Sequence, residues 1–528
     1  MKFLLYALQK YQDHPVIDYF CRTVLSWEYW LKTRPFFMSA VLISTAAALV
    51  ILAIAAYILT IAIYFLIPNY IDHGQPVVAS ISWLWMQGHD LYPNWETADI
   101  YGSVYGPILF LLNGIALLLY PTIFTSKVPG VLSLIVALGV TSMLIKQKAG
   151  STITSMFLLA SLVMLFVPFG IYAYWNRPEP FLILVSVLAL MAAVRSPVLI
   201  APVGVGVLAG LAAGFKIYGF IYTIPAALVA LARVKGRPSR LIMALMSSAC
   251  AVGFALLPYL AKGASIDGHL RFLKVTLHHG WSASLFSQNL QFAFVLVAPI
   301  IGISIWRKSA LNPAQQWFLA TLYTSIAIMT VLGAKNGGGP YYLLPLAPIC
   351  IYGIAVLLES SEIKMNEFAA ALFICLFVAY GPRLFGHTRG LQHAYELAAQ
   401  SEPNKIAELV TYVESYPEAQ IGISDAEHYS SYFYRVLSVF SGRPLRVDFS
   451  VWGEVAYAGV DKEGVSRFVK ACNVPVWILP LGAPFTMVDK YNNLPMLSDG
   501  FRQTFSTNYR QIKAGHAYQV WGCKPQDE

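Results

Sequence analysis

Long apolar segments constrain this chain more than any other feature of its sequence. Runs long enough to cross about 30 Å of hydrocarbon, at roughly 20 residues each, recur between residues 36 and 386. Of the 528 residues, 57% are hydrophobic and 12% are charged, whereas about 25% are charged in an ordinary soluble domain. A soluble multidomain enzyme is excluded, because its surface would lack the charge that keeps it dissolved. The sequence therefore predicts a polytopic α-helical membrane protein.

The charge balance changes near residue 387. Residues 1–386 carry 23 Lys/Arg and 12 Asp/Glu, whereas residues 387–528 carry 13 and 15, so the positive excess behind the net charge of +9 lies wholly in the first part. This excess indicates loop topology and lipid contact rather than nucleic-acid binding. Residues 1–35 mix apolar and charged positions at helical spacing, which predicts an amphipathic cytoplasmic segment on the membrane. Residues 387–528 are predicted to form a soluble external domain.

The membrane part, residues 36–386, is predicted to contain about 11 transmembrane helices. We place them at 36–67, 126–145, 153–174, 179–194, 198–214, 216–232, 241–261, 289–306, 316–334, 341–358 and 366–386. Basic residues fall in alternate short loops, namely Lys146, Lys148, Arg195, 233–237 and 307–308. The positive-inside rule assigns these loops to the cytoplasm. The prediction is an inner-membrane protein with a cytoplasmic N-terminus, a large external loop 69–125 and a periplasmic or extracellular C-terminal domain.

The apolar segment 108–123 does not fit this alternation. If it crossed the membrane, every later loop would be inverted and the basic loops would lie outside. We therefore predict that it lies in the outer leaflet as part of the first external loop.

Several charged residues fall on the predicted external side, although only the cytoplasmic loops were used to orient the chain. Asp72 follows the first span, and it could simply cap a helix or pair with a lysine. Arg177 and Glu179 lie in a tight turn and could pair with each other. Lys216 is flanked by apolar sequence and needs a partner, and Lys335 begins the glycine-rich turn 335–340. Together these groups could deprotonate a hydroxyl and neutralise a phosphate.

The first external loop also resembles a known group of proteins. Asp72 is followed by Gly88, by Leu91-Tyr92-Pro93 and by Tyr105-Gly106-Pro107, with the surface segment 108–123 after them. A second acid follows in Arg177-Pro178-Glu179. Over about residues 36–345 this pattern resembles the GT-C superfamily of integral-membrane glycosyltransferases. His73 stands where many relatives have a second acid, and Tyr105 where many have a lysine.

The resemblance implies a reaction class. GT-C enzymes take a sugar from a polyprenyl-phosphate donor on the outer face and invert the anomeric centre as they transfer it to a hydroxyl acceptor, here a cell-envelope glycan, a lipid or a protein. By this resemblance Asp72 is the catalytic base, and Glu179 binds the acceptor or a metal. Use of a divalent cation stays open. The expected partners are the lipid-linked donor, the acceptor and membrane lipids, without nucleic acid. The candidate substrate-binding residues are Glu179, Arg177, Lys216, Lys335, Tyr105 and His278.

The C-terminal domain is predicted to be α/β, because strand-like runs alternate with helical ones. The predicted strands are 420–424, 474–481 and 518–522, and the predicted helices are 388–410 and 464–471. The domain is expected to act as a lid or as an acceptor-binding module. Asp425, Glu427 and His428 follow the first predicted strand. They form either a helix cap with solvated charges or a functional site. Cys472 and Cys523 either pair, if the domain is external, or are unrelated thiols.

Other function classes remain open at this stage. A transporter or flippase of lipid-linked sugars would also have many spans, although such proteins more often place polar groups at the bilayer midplane. A non-catalytic envelope-assembly protein, or an enzyme of the O-antigen-ligase type, would also fit the composition.

Overall fold

A computed structural model describes most of the chain and provides side-chain detail for most of these residues. The described residues are 35–94, 99–306, 311–359, 361, 363–425, 430–449, 451–452, 466–488, 495 and 497–524. The amphipathic segment predicted for residues 1–35 lies outside this set except for its last residue. Glu427, His428 and the basic pair 307–308 also lie outside it.

Apolar composition produces a helical membrane part, because helices satisfy their backbone hydrogen bonds within one segment. The helices of this part are α1 (Pro35–Leu66), α2 (Gly74–Met86), α3 (Pro107–Leu119), α4 (Ile123–Ala149), α5 (Thr152–Phe166), α6 (Pro178–Arg195), α7 (Ile200–Phe215), α8 (Ile224–Ala232), α9 (Arg237–Leu256), α10 (Ile266–Thr276), α11 (Ala283–Trp306), α12 (Pro313–Leu332), α13 (Ala347–Glu359) and α14 (Met365–Ser415). Short 3₁₀ segments extend several of them, at Val167–Ala173, Gly219–Thr223, Leu257–Leu260 and Pro340–Leu346.

Within the described ranges, eight helical segments are long and apolar enough to cross a membrane. The predicted spans all coincide with helices, but the count of eleven is not confirmed. The segments 200–215 and 219–232 are apolar but shorter. The helix α12 is long enough, with 20 residues, but it is not one of the eight, since Gln315 and Gln316 lower its mean hydropathy. The membrane class is confirmed, and the exact number of spans stays a prediction.

The segment predicted to lie in the outer leaflet is a short helix. α3 has 13 residues, so its length is roughly 20 Å at about 1.5 Å per residue, less than the hydrocarbon thickness. Pro107 starts it, which suits the first helical turn, where a missing N–H costs nothing. Its length agrees with the predicted non-crossing segment 108–123.

The C-terminal domain contains a four-stranded sheet. Its strands are β1 (Gln420–Ile421), β2 (Val476–Pro480), β3 (Tyr509–Ala514) and β4 (Tyr518–Cys523), and its helices are α15 (Ser430–Phe440), α16 (Ser466–Lys470) and α17 (Asp499–Asn508). The strand order is β1-β2-β4-β3, with β1 parallel to β2 and the other pairs antiparallel. The predicted strands and helices are present. β3, with five of its six residues exposed, was not predicted, because no apolar run marks it.

This domain is connected to the membrane part by a continuous helix and by the first external loop. α14 has 51 residues and passes through the predicted domain boundary at residue 387. Val436 of α15 packs with Tyr70 and Ala79. The amide of Asp448 donates to the carbonyl of Ile100 at 2.7 Å. The domain is therefore docked on the loop that contains Asp72.

The structure pairs Cys472 with Cys523 in a disulfide that spans 51 residues. It joins the end of α16 to the end of β4. Structural disulfides persist in oxidising compartments outside the cytosol. The pairing therefore favours the predicted external location of the domain.

Cysteine accessibility tests the predicted sidedness. Ser126, the first residue of the predicted span 126–145, would be an obvious external labelling position. It is unsuitable, because it is fully buried and hydrogen-bonded to Tyr70. Lys262 and Lys235 are exposed and lie on opposite predicted sides. In intact cells, with the free cysteines replaced, an impermeant maleimide is expected to label Lys262→Cys but to label Lys235→Cys only after lysis. The reverse pattern would invert the topology.

Candidate active site

A buried lysine binds the backbone carbonyls where the first span ends. Lys127 of α4 is fully buried, and its Nζ donates to the carbonyl oxygens of Tyr64, Ile67 and Asn69 at 2.8–2.9 Å. Carbonyls at a helix C-terminus lack partners within the helix, and a cation there also offsets the negative end of the helix dipole. These contacts hold the turn that leads to Asp72.

Asp72 has one oxygen occupied by donors. Its Oδ1 accepts hydrogen bonds from the backbone N–H of Gly74 at 2.8 Å and from Nη1 of Arg177 at 2.9 Å. Its Oδ2 lies 3.5 Å from Nδ1 of His73. The carboxylate therefore has a fixed orientation, with Oδ2 as the oxygen on which the structure shows fewer close donors.

Two opposing effects act on the pKa of Asp72. Burial raises the pKa. The Arg177 guanidinium, the His73 side chain and the Gly74 N–H together lower it by more than burial raises it, so the pKa lies below its ordinary value. Asp72 is therefore ionised at neutral pH, as a proton acceptor must be.

Arg177 occupies the position before α6, where its backbone is extended. Its guanidinium carbon lies 4.2 Å from the centre of the Trp175 ring and 5.6 Å from that of Tyr105. These aromatic contacts, together with the ion pair to Asp72, stabilise a largely buried cation. Arg177 and Glu179 are close in sequence but do not pair with each other.

Glu179 instead pairs with Lys216. The Lys216 Nζ lies 2.7 Å from Glu179 Oε1, and the side chains are 7% and 2% exposed. The other carboxylate oxygen accepts from the Trp175 indole N–H at 2.8 Å. The partner that a buried lysine requires is thus an acid at the start of α6.

Aromatic rings surround the Lys216 ammonium. It lies 4.4 Å from the ring centre of Tyr342 and 5.5–5.7 Å from those of Tyr105, Tyr218 and Tyr341. Gly106 makes this arrangement possible, because a Cβ there would lie 2.2 Å from the carbonyl oxygen of Gly214. The predicted Tyr-Gly-Pro run is therefore pressed against the end of α7, next to Lys216.

Two cavities meet at these ion pairs. The first, which we name the Lys216 cavity, has a volume of about 500 Å³. It is lined by Val104, Tyr105, Arg177, 216–218, Leu270, Leu273, Lys274, Leu277, His279, Leu332, 335–337, Tyr341 and Tyr342. Among the described residues that line it, Arg177, Lys216, Lys274 and Lys335 are basic, and none is acidic. Part of its wall is apolar and exposed, notably Leu277 at 75%.

The second, which we name the Asp72 cavity, has a volume of about 1000 Å³. It is lined by Ile71, Asp72, 168–172, Tyr174, Leu285, Gln288, Gln291, Phe292, Val295, 338–341, Tyr380, Arg383, Gly386, His387, Gly390, Leu391 and Ala394. Tyr341 lines both cavities. Asp72 thus faces the larger cavity, while its partner Arg177 faces the smaller one.

The structure brings most of the predicted residues together. Asp72, Arg177, Glu179, Lys216 and Tyr105 form one cluster, and Lys335 lines the Lys216 cavity beside it.

Two other predicted candidates, His278 and Asp425, lie elsewhere, and so does a further acid of the first external loop, Asp99. His278 is exposed, its Nδ1 lies 3.2 Å from the carbonyl oxygen of Lys274, and its neighbour His279 lines the Lys216 cavity instead. Asp99 lies 3.5 Å from Arg446 of the C-terminal domain. Asp425 accepts from the amide of Ala483 at 2.7 Å, a turn contact.

Sequence reasoning missed four basic residues that line the cavities, of which His279 is described above. Lys274 is on α10, in the external loop between the predicted spans 241–261 and 289–306. Its place in that loop could have suggested it as a candidate. Arg383 and His387 are on α14, where the predicted span was taken to end, and no local pattern marked them as facing Asp72. Among the residues that the structure describes, no group of three His, Cys, Asp or Glu could hold a metal ion.

Comparisons with known proteins agree with this architecture. The chain superposes on the crystal structures of ArnT from Cupriavidus metallidurans, one bound to undecaprenyl phosphate and one in the apo state. In each case the TM-score is 0.52 and the identity 13%, over 91% of this chain and 100% of that chain. EmbB arabinosyltransferase from Mycobacterium smegmatis gives a TM-score of 0.42 at 12% identity, over 84% of this chain and 45% of that one, which is too low for a structural argument. No protein-family model and no curated protein matches the sequence.

The likeness to ArnT shows a shared fold. At the level of the fold, the prediction made from the first external loop is confirmed.

Proposed function

Starting from the ArnT-like fold, we propose that this protein is an inverting glycosyltransferase that moves a sugar from a polyprenyl-phosphate donor to a hydroxyl acceptor at the outer membrane face. One observation carries the proposal. An ionised carboxylate, Asp72, faces a large cavity and is joined through Arg177 to a smaller, basic and partly apolar cavity. A base for the acceptor and a site for a lipid phosphate are therefore adjacent.

The donor binds in the Lys216 cavity. Its basic lining, with Lys274 in addition to Lys216 and Arg177, suits a phosphate. Its exposed leucines on α10 and α12 suit a polyprenyl chain entering from the bilayer. The structure of ArnT with undecaprenyl phosphate supports a ligand of this class for the fold.

The acceptor binds in the Asp72 cavity. Its hydroxyl oxygen attacks the anomeric carbon, and its proton passes to Oδ2 of Asp72. The bond between the anomeric carbon and the phosphate oxygen breaks, and the polyprenyl phosphate leaves with the electron pair. One displacement from the opposite face inverts the anomeric centre. Lys216 and Arg177 neutralise the charge that develops on the leaving phosphate.

Glu179 acts in this scheme by positioning. Its two oxygens contact Lys216 and the Trp175 indole. We therefore propose that it holds the donor-binding lysine, in place of the acceptor or metal contact that the family resemblance suggested.

Transfer by the purified protein tests the function. Full-length protein with a radiolabelled polyprenyl-phosphate sugar and an envelope extract as acceptor is expected to release polyprenyl phosphate and to label the acceptor. A flippase would instead move intact donor between leaflets of proteoliposomes. Movement without cleavage would refute the enzymatic proposal, and neither cleavage nor movement would favour a non-catalytic role.

A further inference from the structure

The wall of the Asp72 cavity formed by α14 has basic groups that the transfer reaction described above does not use. Arg383 and His387 are four residues apart, so they lie on one face of the helix. Both line the same cavity as Asp72. Gly386 and Gly390 lie beside them on that wall.

Arg383 lacks an acidic partner. Within the described ranges no carboxylate forms an ion pair with its guanidinium. Two buried cations of the site do have acidic partners, Arg177 in Asp72 and Lys216 in Glu179. An arginine within a membrane helix is costly and usually serves a pathway or a ligand. A guanidinium also presents paired donors that match a phosphate or carboxylate.

The wall holds these groups in place and leaves room beside them. The hydroxyls of Thr388 and Thr60 are hydrogen-bonded at 2.8 Å, which ties α14 to α1. The His387 ring packs against Gly170, where a Cβ would lie 3.4 Å from its Cε1. At Gly386, by contrast, a Cβ would meet nothing within 4 Å. The helix is thus anchored beside His387, and the space next to Gly386 on the same wall is open.

Two amide side chains on α11 also line the Asp72 cavity. Gln288 and Gln291 of α11 are three residues apart, and both line the Asp72 cavity. Primary amides donate and accept hydrogen bonds, as recognition of sugar hydroxyls requires. The cavity therefore combines a base, the Arg383 guanidinium, an imidazole and neutral hydrogen-bonding groups.

We infer that Arg383 and His387 form an anion-binding subsite, so that the acceptor is a hydroxyl compound that also carries a phosphate or carboxylate. This inference rests on the proposed function, which assigns the acceptor to the Asp72 cavity. A bilayer lipid headgroup is the other source of the same chemistry. The acceptor is favoured because Arg383 shares its cavity with the base.

The test uses full-length protein in phosphatidylcholine nanodiscs, first saturated with undecaprenyl phosphate to occupy the Lys216 cavity. Glucose 1-phosphate is then titrated, with methyl glucoside as the uncharged probe. Glucose 1-phosphate is expected to bind more tightly, and Arg383→Gln is expected to weaken it roughly tenfold to a hundredfold, as for a charged hydrogen bond. Gly386→Leu, which fills the open space without removing charge, should weaken it as well. Arg389→Gln, on the same helix but outside the cavity wall, should not.

Each result has one meaning. If undecaprenyl phosphate does not bind the wild-type protein, the proposed function fails before the subsite is tested. If it binds, but the two sugar probes bind equally or Arg383→Gln changes neither, the anionic subsite is refuted. If Arg383→Gln reduces only the retention of phosphatidylglycerol added to the nanodiscs, the residue binds a bilayer headgroup, and the inference is also refuted.

Discussion

The Asp72→Asn variant is expected to transfer sugar at least ~10²-fold more slowly than the wild-type protein, the usual range for loss of a general base. A hydroxyl is a weak nucleophile at neutral pH, so its attack depends on a positioned proton acceptor. Asparagine keeps the size of the side chain and can still accept from the Gly74 amide, but it cannot take a proton. Initial rates of label transfer at saturating donor would measure the loss.

Asp90→Asn is the matched control, since Asp90 is an exposed acid of the same loop that lines neither cavity. Undecaprenyl phosphate binding and thermal unfolding of both variants separate catalysis from folding. Transfer by Asp72→Asn at the wild-type rate would remove Asp72 from the mechanism. By the sequence, Glu96 or Asp99 of the same loop would then be the next candidate base. Asp99 pairs with Arg446, and Glu96 lies outside the described residues.

The pH dependence of transfer should identify the same carboxylate. Arg177 and His73 hold the pKa of Asp72 below its ordinary value, so the base stays ionised as pH falls toward that value. Arg177→Gln removes the main lowering interaction and leaves the effect of burial, which raises the pKa. The acidic limb of the rate profile is therefore expected to move to higher pH in this variant. An unshifted limb would assign the limb to another group.

The Lys216→Met variant is expected to lose stability and activity together. It leaves the Glu179 carboxylate, 2% exposed, without its cation, and breaking a buried pair in this way costs about 3–5 kcal/mol. Removing both charges, in Lys216→Met/Glu179→Gln, should recover much of the stability, because glutamine can still accept from the Trp175 indole. Thermal unfolding in detergent would compare the two variants.

Activity should not recover in the double variant. Without the Lys216 ammonium, the charge on the leaving phosphate is less well neutralised, and we expect a loss of roughly 10²-fold in transfer. The exposed pair Lys148–Glu359, with side chains 36% and 46% exposed, offers a control, because Lys148→Met should change stability little. A stable double variant with normal transfer would reduce Lys216 to a structural residue.

The sequence by itself determined the class of protein and much of its helical layout. Apolar runs must form helices in hydrocarbon, because no other open structure satisfies the backbone there. The first external loop also predicted the fold that the chain shares with ArnT, and most of the polar residues picked from the loops meet in one cluster. These features depend on local composition and short spacing, which a sequence displays directly.

The tertiary structure alone decided which charges pair and which face the cavities. Asp72 meets Arg177 across 105 residues, and Glu179 meets Lys216 across 37, although Arg177 and Glu179 are neighbours. It also placed Arg383 and His387 in the wall of the Asp72 cavity, on a single 51-residue helix that continues past the predicted end of the span. Such contacts depend on how helix ends converge in space, and no local pattern in the chain contains that information.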